Sequence, residues 1–226
     1  MKRCILVLFL LLPAFAGKAQ TNIYHPFPTS NAFWEIDGSN CLYPSVCNDR
    51  RYGIVGDTLI GGLNYIQIYS LYDSTLTNPN SHYYAAIREE NKRVYTRIGS
   101  NPETLLYDFN LEVGDTIWHT FSETFFTTDS FFQRVLTVDS MLLLDGKYRK
   151  RWVFESATTP DDIVIEGIGS ISGIGLFNPI KNAWATNGDQ FQFACFKHND
   201  TALYINNPEC EKCFCSMLTS IDKLKN

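Results

Sequence analysis

Short runs of strand-forming residues recur about every ten positions along this chain, and the turn signals between them constrain the fold more than any other feature. The clearest signal is Asp145-Gly146, because a two-residue hairpin turn needs positive φ angles, which Asp and Gly accept. Gly61-Gly62 is a second such turn. No window of 11 or more residues shows clear helical periodicity, and Cys210–Leu224 is the one candidate for an exception. The pattern predicts a single all-β domain, an antiparallel sandwich or barrel-like domain with hairpin connections.

Alternation of apolar and polar residues defines the predicted strands. In residues 93–98, Val94, Thr96 and Ile98 alternate with charged or aromatic side chains, which predicts a strand with one face toward water. Trp34 is predicted to be a buried core residue. The predicted elements are a strand at 32–36, a hairpin at 52–72, a hairpin joining 82–88 to 93–98, a strand at 105–111, a hairpin joining 131–144 to 147–155, and a hairpin joining 190–198 to 201–205.

The run from Asp161 to Phe177 contains four glycines, at 167, 169, 173 and 175. A dinucleotide site needs G-x-G-x-x-G between a strand and a helix, but Ser172 occupies the third glycine position. No lysine followed by serine or threonine closes the run, as a phosphate loop would require. Glycine within a strand pattern marks a bend or a close approach of two backbone segments. We therefore predict a strand at 161–166 that enters a glycine-built corner, with no cofactor site.

Residues 1–19 have the organisation of a secretory signal peptide. Lys2 and Arg3 precede an apolar stretch from Cys4 to Ala16, which at about 13 residues is too short to cross a bilayer. Small residues precede Gln20, as a cleavage site requires. We expect an exported protein, periplasmic or extracellular, without a transmembrane segment. Residues 20–216 form the expected β domain, and residues 217–226 form a C-terminal tail.

The charge of the chain argues against nucleic acid as a partner. The sequence has 19 basic and 24 acidic residues, for a formal charge of −5. Cleavage after residue 19 would remove three basic residues and no acidic one, so the charge would fall to −8. An acidic chain repels a phosphate backbone. The run Arg149-Lys150-Arg151 does not change this expectation, because adjacent side chains of a strand point to opposite faces.

Of the seven cysteines, six remain after the leader, and an even number in an exported chain indicates disulfides. Cys41 and Cys47 flank a short loop and are predicted partners. Cys195 is predicted to pair with a cysteine of the C-terminal cluster, whose spacing would also permit a metal site. Zinc sites usually have four ligands, and His198 is the only nearby histidine, so disulfides are the preferred interpretation and no metal site is assigned. The cluster consists of Cys210, Cys213 and Cys215.

Carboxylates near strand ends are the candidate catalytic groups. Glu166 precedes the glycine corner, and three aspartates, Asp108, Asp115 and Asp139, lie near ends of predicted strands. A glycosidase needs two carboxylates that face each other, whereas acids at strand ends usually serve turns. The four histidines lack a metal-ligand spacing, and neither a G-x-S-x-G elbow nor a calcium loop is present in the sequence. We therefore assign no catalytic residue.

A set of short motifs occurs in a recognisable order over nearly all of the chain. The motifs are Ser30-Asn31-Ala32-x-Trp34, Gly56-Asp57-Thr58, Ala86-Ile87-Arg88-Glu89-Glu90, Lys92-x-Val94-Tyr95, Leu106-Tyr107-Asp108-Phe109-Asn110-Leu111, Gly114-Asp115-Thr116, Tyr148-Arg149-Lys150-Arg151-Trp152 and Glu166-Gly167-Ile168-Gly169-Ser170. Together they resemble an uncharacterised family of secreted β-domain proteins from Bacteroidetes, whose members often precede a type IX secretion C-terminal sorting domain. The resemblance implies no established activity, catalytic residue or cofactor. In this family a sorting domain would begin soon after the last cysteines. Two interpretations of residues 217–226 therefore stay open: a remnant of the linker to a missing sorting domain, or the tail of a copy that stays periplasmic.

Two functions from different classes follow. The first is a non-catalytic secreted module that binds a glycan or a protein at the cell surface, which predicts an exposed aromatic patch or groove without converging acids. The second is a secreted hydrolase of glycans or peptides, which predicts a cleft where Glu166 meets another carboxylate or a histidine. Because the sequence carries no catalytic pattern, we favour the binding module.

Overall fold

The computed structural model describes residues 23–38, 49–73, 79–119, 131–155, 162–172, 175–177, 191–206 and 213. Within these residues the chain forms thirteen β-strands and no helix, which confirms the predicted all-β fold. The strands are β1 (Ala32–Gly38), β2 (Arg50–Ile60), β3 (Leu63–Ser70), β4 (His82–Glu90), β5 (Arg93–Ile98), β6 (Thr104–Asp108), β7 (Thr116–His119), β8 (Phe131–Leu142), β9 (Tyr148–Phe154), β10 (Asp162–Ile165), β11 (Gly169–Ser170), β12 (Phe191–His198) and β13 (Thr201–Ile205).

The strands form two curled antiparallel sheets, each a half-barrel. The first sheet has the order β13-β12-β1-β2-β3-β4-β5-β6, and the second has the order β11-β10-β9-β8-β7. The chain completes a meander from β1 to β6, crosses to the second sheet for β7 to β11, and returns as β12 to pair with β1. The backbone N–H of Leu144, in the β8–β9 turn, donates to the carbonyl of Leu203 on β13 at 3.0 Å. This bond joins the two sheets on one side.

The predicted hairpins form, and their turns have the backbone angles that tight hairpins require. β2 and β3 pair across Gly61 and Gly62, which have φ angles of 60° and 85°. β4 and β5 pair across Asn91 and Lys92, which also have positive φ angles. β8 and β9 pair around a turn that contains Gly146, with φ of 74°. Left-handed turn residues match the twist of the flanking strands, so each register is fixed locally.

Two strand predictions need correction. The strand predicted at 105–111 is β6, which already ends at Asp108. The Asp108 carboxylate accepts a hydrogen bond from the backbone N–H of Asn110 at 2.9 Å, and this bond starts a turn in place of the strand. Strand β7 is absent from the prediction because its four residues are too few to show alternation; it is held by pairing with β8.

Two tryptophans anchor the core. Trp34 on β1 is fully buried, as predicted, and its Nε1 donates to the carbonyl of Ile168 at 2.9 Å. Trp152 on β9 is also buried, and its Nε1 donates to the carbonyl of Leu111 at 2.9 Å. Phe27 stacks on Trp34 with ring centroids 5.6 Å apart. Each indole therefore buries a large apolar surface without leaving its N–H group unsatisfied.

The glycine run forms the predicted corner. β10 enters a turn at Glu166–Ile168 and returns as β11, which pairs with β10. Gly167 and Gly169 have φ angles of 72° and 97°. A Cβ at Gly167 would lie 3.0 Å from the carbonyl oxygen of His25, and a Cβ at Gly169 would lie 2.8 Å from the hydroxyl of Tyr107. Both the backbone conformation and the close approach of neighbouring groups therefore require glycine.

A disulfide between Cys195 and Cys213 ties β12 to the C-terminal cysteine cluster. The two Cα atoms are 5.5 Å apart, and both residues are buried. The predicted pairing of Cys195 with the cluster is confirmed, and Cys213 is consumed in a disulfide instead of serving as a metal-binding thiolate. Other predictions lie outside the described residues, namely those for 1–19, Cys41, Cys47, Gly173, Cys210, Cys215 and 217–226.

Candidate functional site

An N-terminal segment, residues 24–27, crosses the glycine corner at Glu166 and Gly167 and separates two cavities. The backbone N–H of His25 donates to Oε2 of Glu166 at 3.3 Å. His25 and Gly167 line the larger of the two cavities, whereas Tyr24 and Glu166 line the other, which we call the Glu166 cleft. The corner predicted from the glycines therefore builds part of the wall between two candidate sites.

Glu89, near the end of β4, holds the crossing segment in place. Its Oε1 accepts a hydrogen bond from the hydroxyl of Tyr24, and its Oε2 accepts one from the backbone N–H of Phe27 at 2.6 Å. Burial and the Glu89 carboxylate raise the pKa of Tyr24 above its usual value, so the hydroxyl keeps its proton and remains a donor. The segment is thus bonded to the first sheet through Glu89 and to the corner of the second sheet through Glu166.

The larger cavity has a volume of about 980 Å³ and is lined by residues of both sheets. Exposed polar residues, Asp57 and Asn64, lie at its rim. Its volume falls at the upper end of the range for small-molecule sites, about 300–1,000 Å³, and such sites typically combine apolar walls with a few polar groups. The buried apolar side chains of its wall are Phe27, Ile54, Ile66, Ile87, Ile168, Phe196 and Leu203.

Arg149 on β9 brings a buried positive charge to the larger cavity. Its Nη2 donates to Oδ2 of Asp145 at 3.3 Å, whereas its Nη1 is buried without a hydrogen-bond partner among the described residues. Burial lowers the pKa of Arg149, and the Glu166 carboxylate partly opposes this shift. His198 lines the same cavity, and burial together with the Arg149 charge lowers its pKa. At neutral pH His198 is therefore uncharged, and Arg149 provides the positive charge on this side of the cavity.

The Glu166 cleft is smaller, about 550 Å³, and both acidic and basic side chains line it. Carboxylates and amines that share a concave site can bind a charged ligand or carry out acid–base chemistry. If the protein is a hydrolase, its catalytic groups would therefore lie in this cleft. Its charged lining residues are Lys92, Glu112, Asp139, Lys150 and Glu166.

Glu166 is buried, with 4% of its surface exposed, and burial raises its pKa to about 7. The charges of Lys150, Arg149 and Lys92 oppose this shift. The backbone N–H of Glu166 donates to the carbonyl of Lys150 at 2.9 Å, which fixes the residue beside β9. Near neutral pH the carboxyl group therefore holds its proton far more than an ordinary glutamate does, and a pKa close to neutral suits a general acid or base.

Asp139 supplies a second carboxylate to the cleft, but a guanidinium group already engages it. Nε and Nη2 of Arg151 donate to its two carboxylate oxygens at 2.7 and 2.5 Å. Such a two-point contact fixes the orientation of the carboxylate. Glu166 thus shares a cleft with a second carboxylate, as the hydrolase hypothesis expects. Both carboxylates are already engaged, because Asp139 pairs with Arg151 and Glu166 accepts a hydrogen bond from the backbone N–H of His25.

The other candidate acids serve turns and line neither cavity. Asp108 accepts hydrogen bonds from Nε of Arg93 at 2.8 Å and from the backbone of Asn110. Asp115 accepts one from the backbone N–H of Glu112 at 2.8 Å. Neither residue is therefore placed to act on a ligand in the larger cavity or in the Glu166 cleft.

The run Arg149-Lys150-Arg151 forms no basic stripe, as predicted. Arg149 lines the larger cavity, Lys150 lines the Glu166 cleft, and Arg151 pairs with Asp139. The buried role of Arg149 was missed because nothing in its immediate sequence distinguishes it from Arg151. Its position at the cavity depends on contacts between distant segments, such as the bond from the β8–β9 turn to β13.

Trp118 on β7 and Phe132 on β8 form an exposed aromatic pair. They are cross-strand partners with ring centroids 5.3 Å apart, and they are 58% and 60% exposed. An exposed aromatic patch is what the binding-module hypothesis expects. The pair lies on the second sheet and lines neither the larger cavity nor the Glu166 cleft.

Among the described residues, no group of three or more His, Cys, Asp or Glu side chains is arranged to hold a metal ion. The same part of the chain contains no helix long and apolar enough to cross a membrane. Comparisons with protein-family models, with curated proteins and with solved structures find no match.

Proposed function

We propose that this chain is an exported, non-catalytic binding protein that takes a small ligand into the larger cavity. One observation carries the proposal, the roughly 980 Å³ space whose lining combines buried aliphatic and aromatic side chains with polar and charged side chains. The space is open to solvent on one side, since exposed residues such as Val55, Asp57 and Asn64 belong to its lining. A ligand of matching shape would remove the apolar part of this lining from water and would bind for that reason.

Export is supported by the leader pattern of residues 1–19 and by the Cys195–Cys213 disulfide. Disulfides persist in the periplasm and outside the cell, whereas the cytosol keeps most thiols reduced. A protein that meets dilute small molecules outside the cytoplasm would bind them in a preformed cavity of this kind.

N-phenyl-1-naphthylamine, an uncharged probe that fluoresces in apolar surroundings, tests the proposal. We expect saturable binding with one probe for each chain. Leu203→Trp should abolish this binding, because an indole in place of the Leu203 side chain fills part of the cavity. Leu136→Trp is the matched control, since Leu136 is 37% exposed on β8 and lines neither cavity. Circular dichroism confirms that both variants are folded. A lack of saturable binding, or equal binding by Leu203→Trp, contradicts the proposal.

Hydrolysis in the Glu166 cleft is the second candidate function, because Glu166 combines burial with a pKa raised to about 7 beside Asp139. A hydrolase would cleave a substrate from a panel of chromogenic glycosides and peptides, and Glu166→Gln would lower that rate by about 100-fold or more. The binding proposal predicts no turnover by the unmodified protein. Turnover that depends on Glu166 would replace the binding proposal with this one.

A further inference from the structure

We propose that the ligand of the larger cavity is an acidic amphiphile, an apolar chain that carries one anionic group, and that Arg149 binds the anionic group. This inference rests on the proposed function and adds the chemical class of the ligand. It combines two properties of the same cavity, an apolar wall and one buried guanidinium group with unused hydrogen-bonding capacity.

Arg149 is buried, and its guanidinium group is incompletely hydrogen-bonded. Only 9% of the residue is exposed, and Asp145 satisfies only its Nη2 atom. Asp145 balances the charge of Arg149, but Nη1 has no acceptor among the described residues, so a buried N–H donor group lacks a hydrogen bond. Such a donor costs stability, and an oxygen of an anionic ligand group would supply the missing acceptor.

The other charged groups of the cavity lining already have partners or lie elsewhere on its wall. Arg88 donates hydrogen bonds to Glu103 and Glu90. The two oxygens of Glu89 accept hydrogen bonds from Tyr24 and Phe27. Asp57 is exposed on β2 of the first sheet, whereas Arg149 lies on β9 of the second. His198 lies in the same cavity as Arg149, and an anion bound beside them would favour the protonated imidazole. The two acids that act on Arg149, Asp145 and Glu166, do not line the larger cavity, so an anion can approach Arg149 from the cavity.

The rest of the ligand would meet the apolar part of the cavity wall. This part consists of buried aliphatic and aromatic side chains, among them Ile54, Ile66 and Ile87 on three adjacent strands. Uncharged polar residues complete the lining, namely Thr29, Ser30, Asn31 and Asn64. Polar ligand atoms placed against the apolar part of the wall would lose their hydrogen bonds to water without replacement. An alkyl chain or a fused hydrocarbon body would instead gain burial.

The test measures the affinity of the purified protein for ligands that share a twelve-carbon chain and differ in the head group. Isothermal titration calorimetry, below micelle-forming concentrations, compares dodecanoate, dodecyl phosphate, dodecan-1-ol and dodecylammonium. We expect the anions to bind about 10- to 100-fold more tightly than the alcohol, the amount that a charged hydrogen bond contributes, and the ammonium to bind most weakly. The tighter of the two anions tells whether a carboxylic acid or a phosphate ester is the better model of the ligand.

Three arginine variants assign the effect to one side chain. Arg149→Met keeps the length of the side chain but removes the charge, and should bring dodecanoate to the affinity of dodecan-1-ol. Arg149→Lys keeps the charge and should restore part of the preference. Arg134→Met is the matched control, because Arg134 is exposed on β8, pairs with Glu155 and lines neither cavity. It should leave all four affinities unchanged.

The head-group comparison in the unmodified protein tests the inference even if Arg149→Met fails to fold. Equal affinities for dodecanoate and dodecan-1-ol would overturn the acidic class of ligand while leaving the cavity-binding proposal intact, provided that the uncharged naphthylamine probe still binds. A preference for the ammonium, or an anion preference that survives Arg149→Met, would also overturn the inference. If neither the amphiphiles nor the naphthylamine probe binds, both the inference and the proposed function are wrong.

Discussion

The hydroxyl of Tyr107 lies 2.8 Å from the position that a Cβ of residue 169 would occupy. From β6 of the first sheet, this hydroxyl donates to the carbonyl of Leu176 and accepts the N–H of Ser170 at 3.0 Å. One side chain thus fastens the glycine corner of the second sheet to the first sheet. The corner also forms part of the wall of both cavities. Loss of the Tyr107 contact should therefore both destabilise the fold and change the shape of the candidate sites.

Gly169→Ala should lower the free energy of unfolding by about 3 kcal/mol, because it adds a clash with Tyr107 to the strain of a positive φ. For a domain of this size the midpoint of thermal unfolding should fall by roughly 6–12 °C. Gly99→Ala is the matched control: its φ is also positive, at 57°, but its Cβ would meet nothing within 4 Å. It should cost only about 1 kcal/mol. Equal losses for the two variants would contradict the importance of the Tyr107 contact.

Tyr107→Phe should lower the free energy of unfolding by about 2–4 kcal/mol in urea denaturation. The substitution leaves a buried carbonyl, that of Leu176, and a buried N–H, that of Ser170, without their partner. Tyr72→Phe serves as the control, because Tyr72 is 69% exposed and should tolerate the loss of its hydroxyl within about 0.5 kcal/mol. A neutral Tyr107→Phe would show that the corner does not depend on this hydroxyl.

The raised pKa of Glu166 predicts how stability depends on pH. Burial lifts this pKa from its ordinary value of 4.5 to about 7, so the folded protein holds a proton that the unfolded chain has lost between these pH values. Stability should therefore fall as pH rises from 4.5 to 7, by about 2–3 kcal/mol, and level off above pH 7. Glu166→Gln, which is neutral throughout, should remove this part of the slope in urea titrations.

Asp37 supplies the control for that titration. Burial, with Glu35 and Asp49 nearby, raises the pKa of Asp37 to about 6, so it contributes a slope of the same sign that ends at lower pH. Asp37→Asn should reduce the pH dependence of the free energy of unfolding below about pH 6. The pH dependence that remains between pH 6 and 7 should then come from Glu166. A pH profile that Glu166→Gln leaves unchanged would mean that the carboxyl group is not desolvated as the structure indicates.

Removal of the Cys195–Cys213 disulfide should destabilise the fold. The two residues are 18 positions apart, and a loop of this length corresponds to about 3 kcal/mol of chain entropy in the unfolded state. A variant with Cys195→Ser and Cys213→Ser should show this loss in urea denaturation. Mass spectrometry after iodoacetamide treatment of unfolded, unreduced protein provides the direct check. Alkylation of Cys195 and Cys213 in that experiment would rule out the bond.

Much of the fold could be predicted because local chemistry determines it. Turn residues such as Asp145-Gly146 and Gly61-Gly62 fix hairpins between neighbours in the sequence, and alternation fixes which face of β5 is buried. The sequence also predicts that positions 167 and 169 require glycine, but it does not predict which residues approach these glycines closely. The partners of these glycines, His25 and Tyr107, lie far away in sequence and approach only in the folded chain.

The candidate site was harder to predict because distant segments assemble it. Arg149 and Arg151 look alike in sequence, yet one is buried at the larger cavity and the other pairs with Asp139 near the surface. Glu166 was identified as a candidate from its place before the corner. Its burial depends on the crossing segment at His25, more than a hundred residues earlier, which no local pattern foretells.

The most direct test of ligand binding in the larger cavity is a titration followed by NMR of the isoleucine δ1-methyl groups. With dodecanoate as the ligand, the methyl signals of Ile54, Ile66, Ile87 and Ile168 should shift together and saturate, since these residues line the cavity. The signals of Ile117 and Ile163, which line neither cavity, should stay within the experimental error. Signals that do not shift, or shifts confined to residues away from the cavity, would contradict the central claim that this protein binds a small ligand between its two sheets.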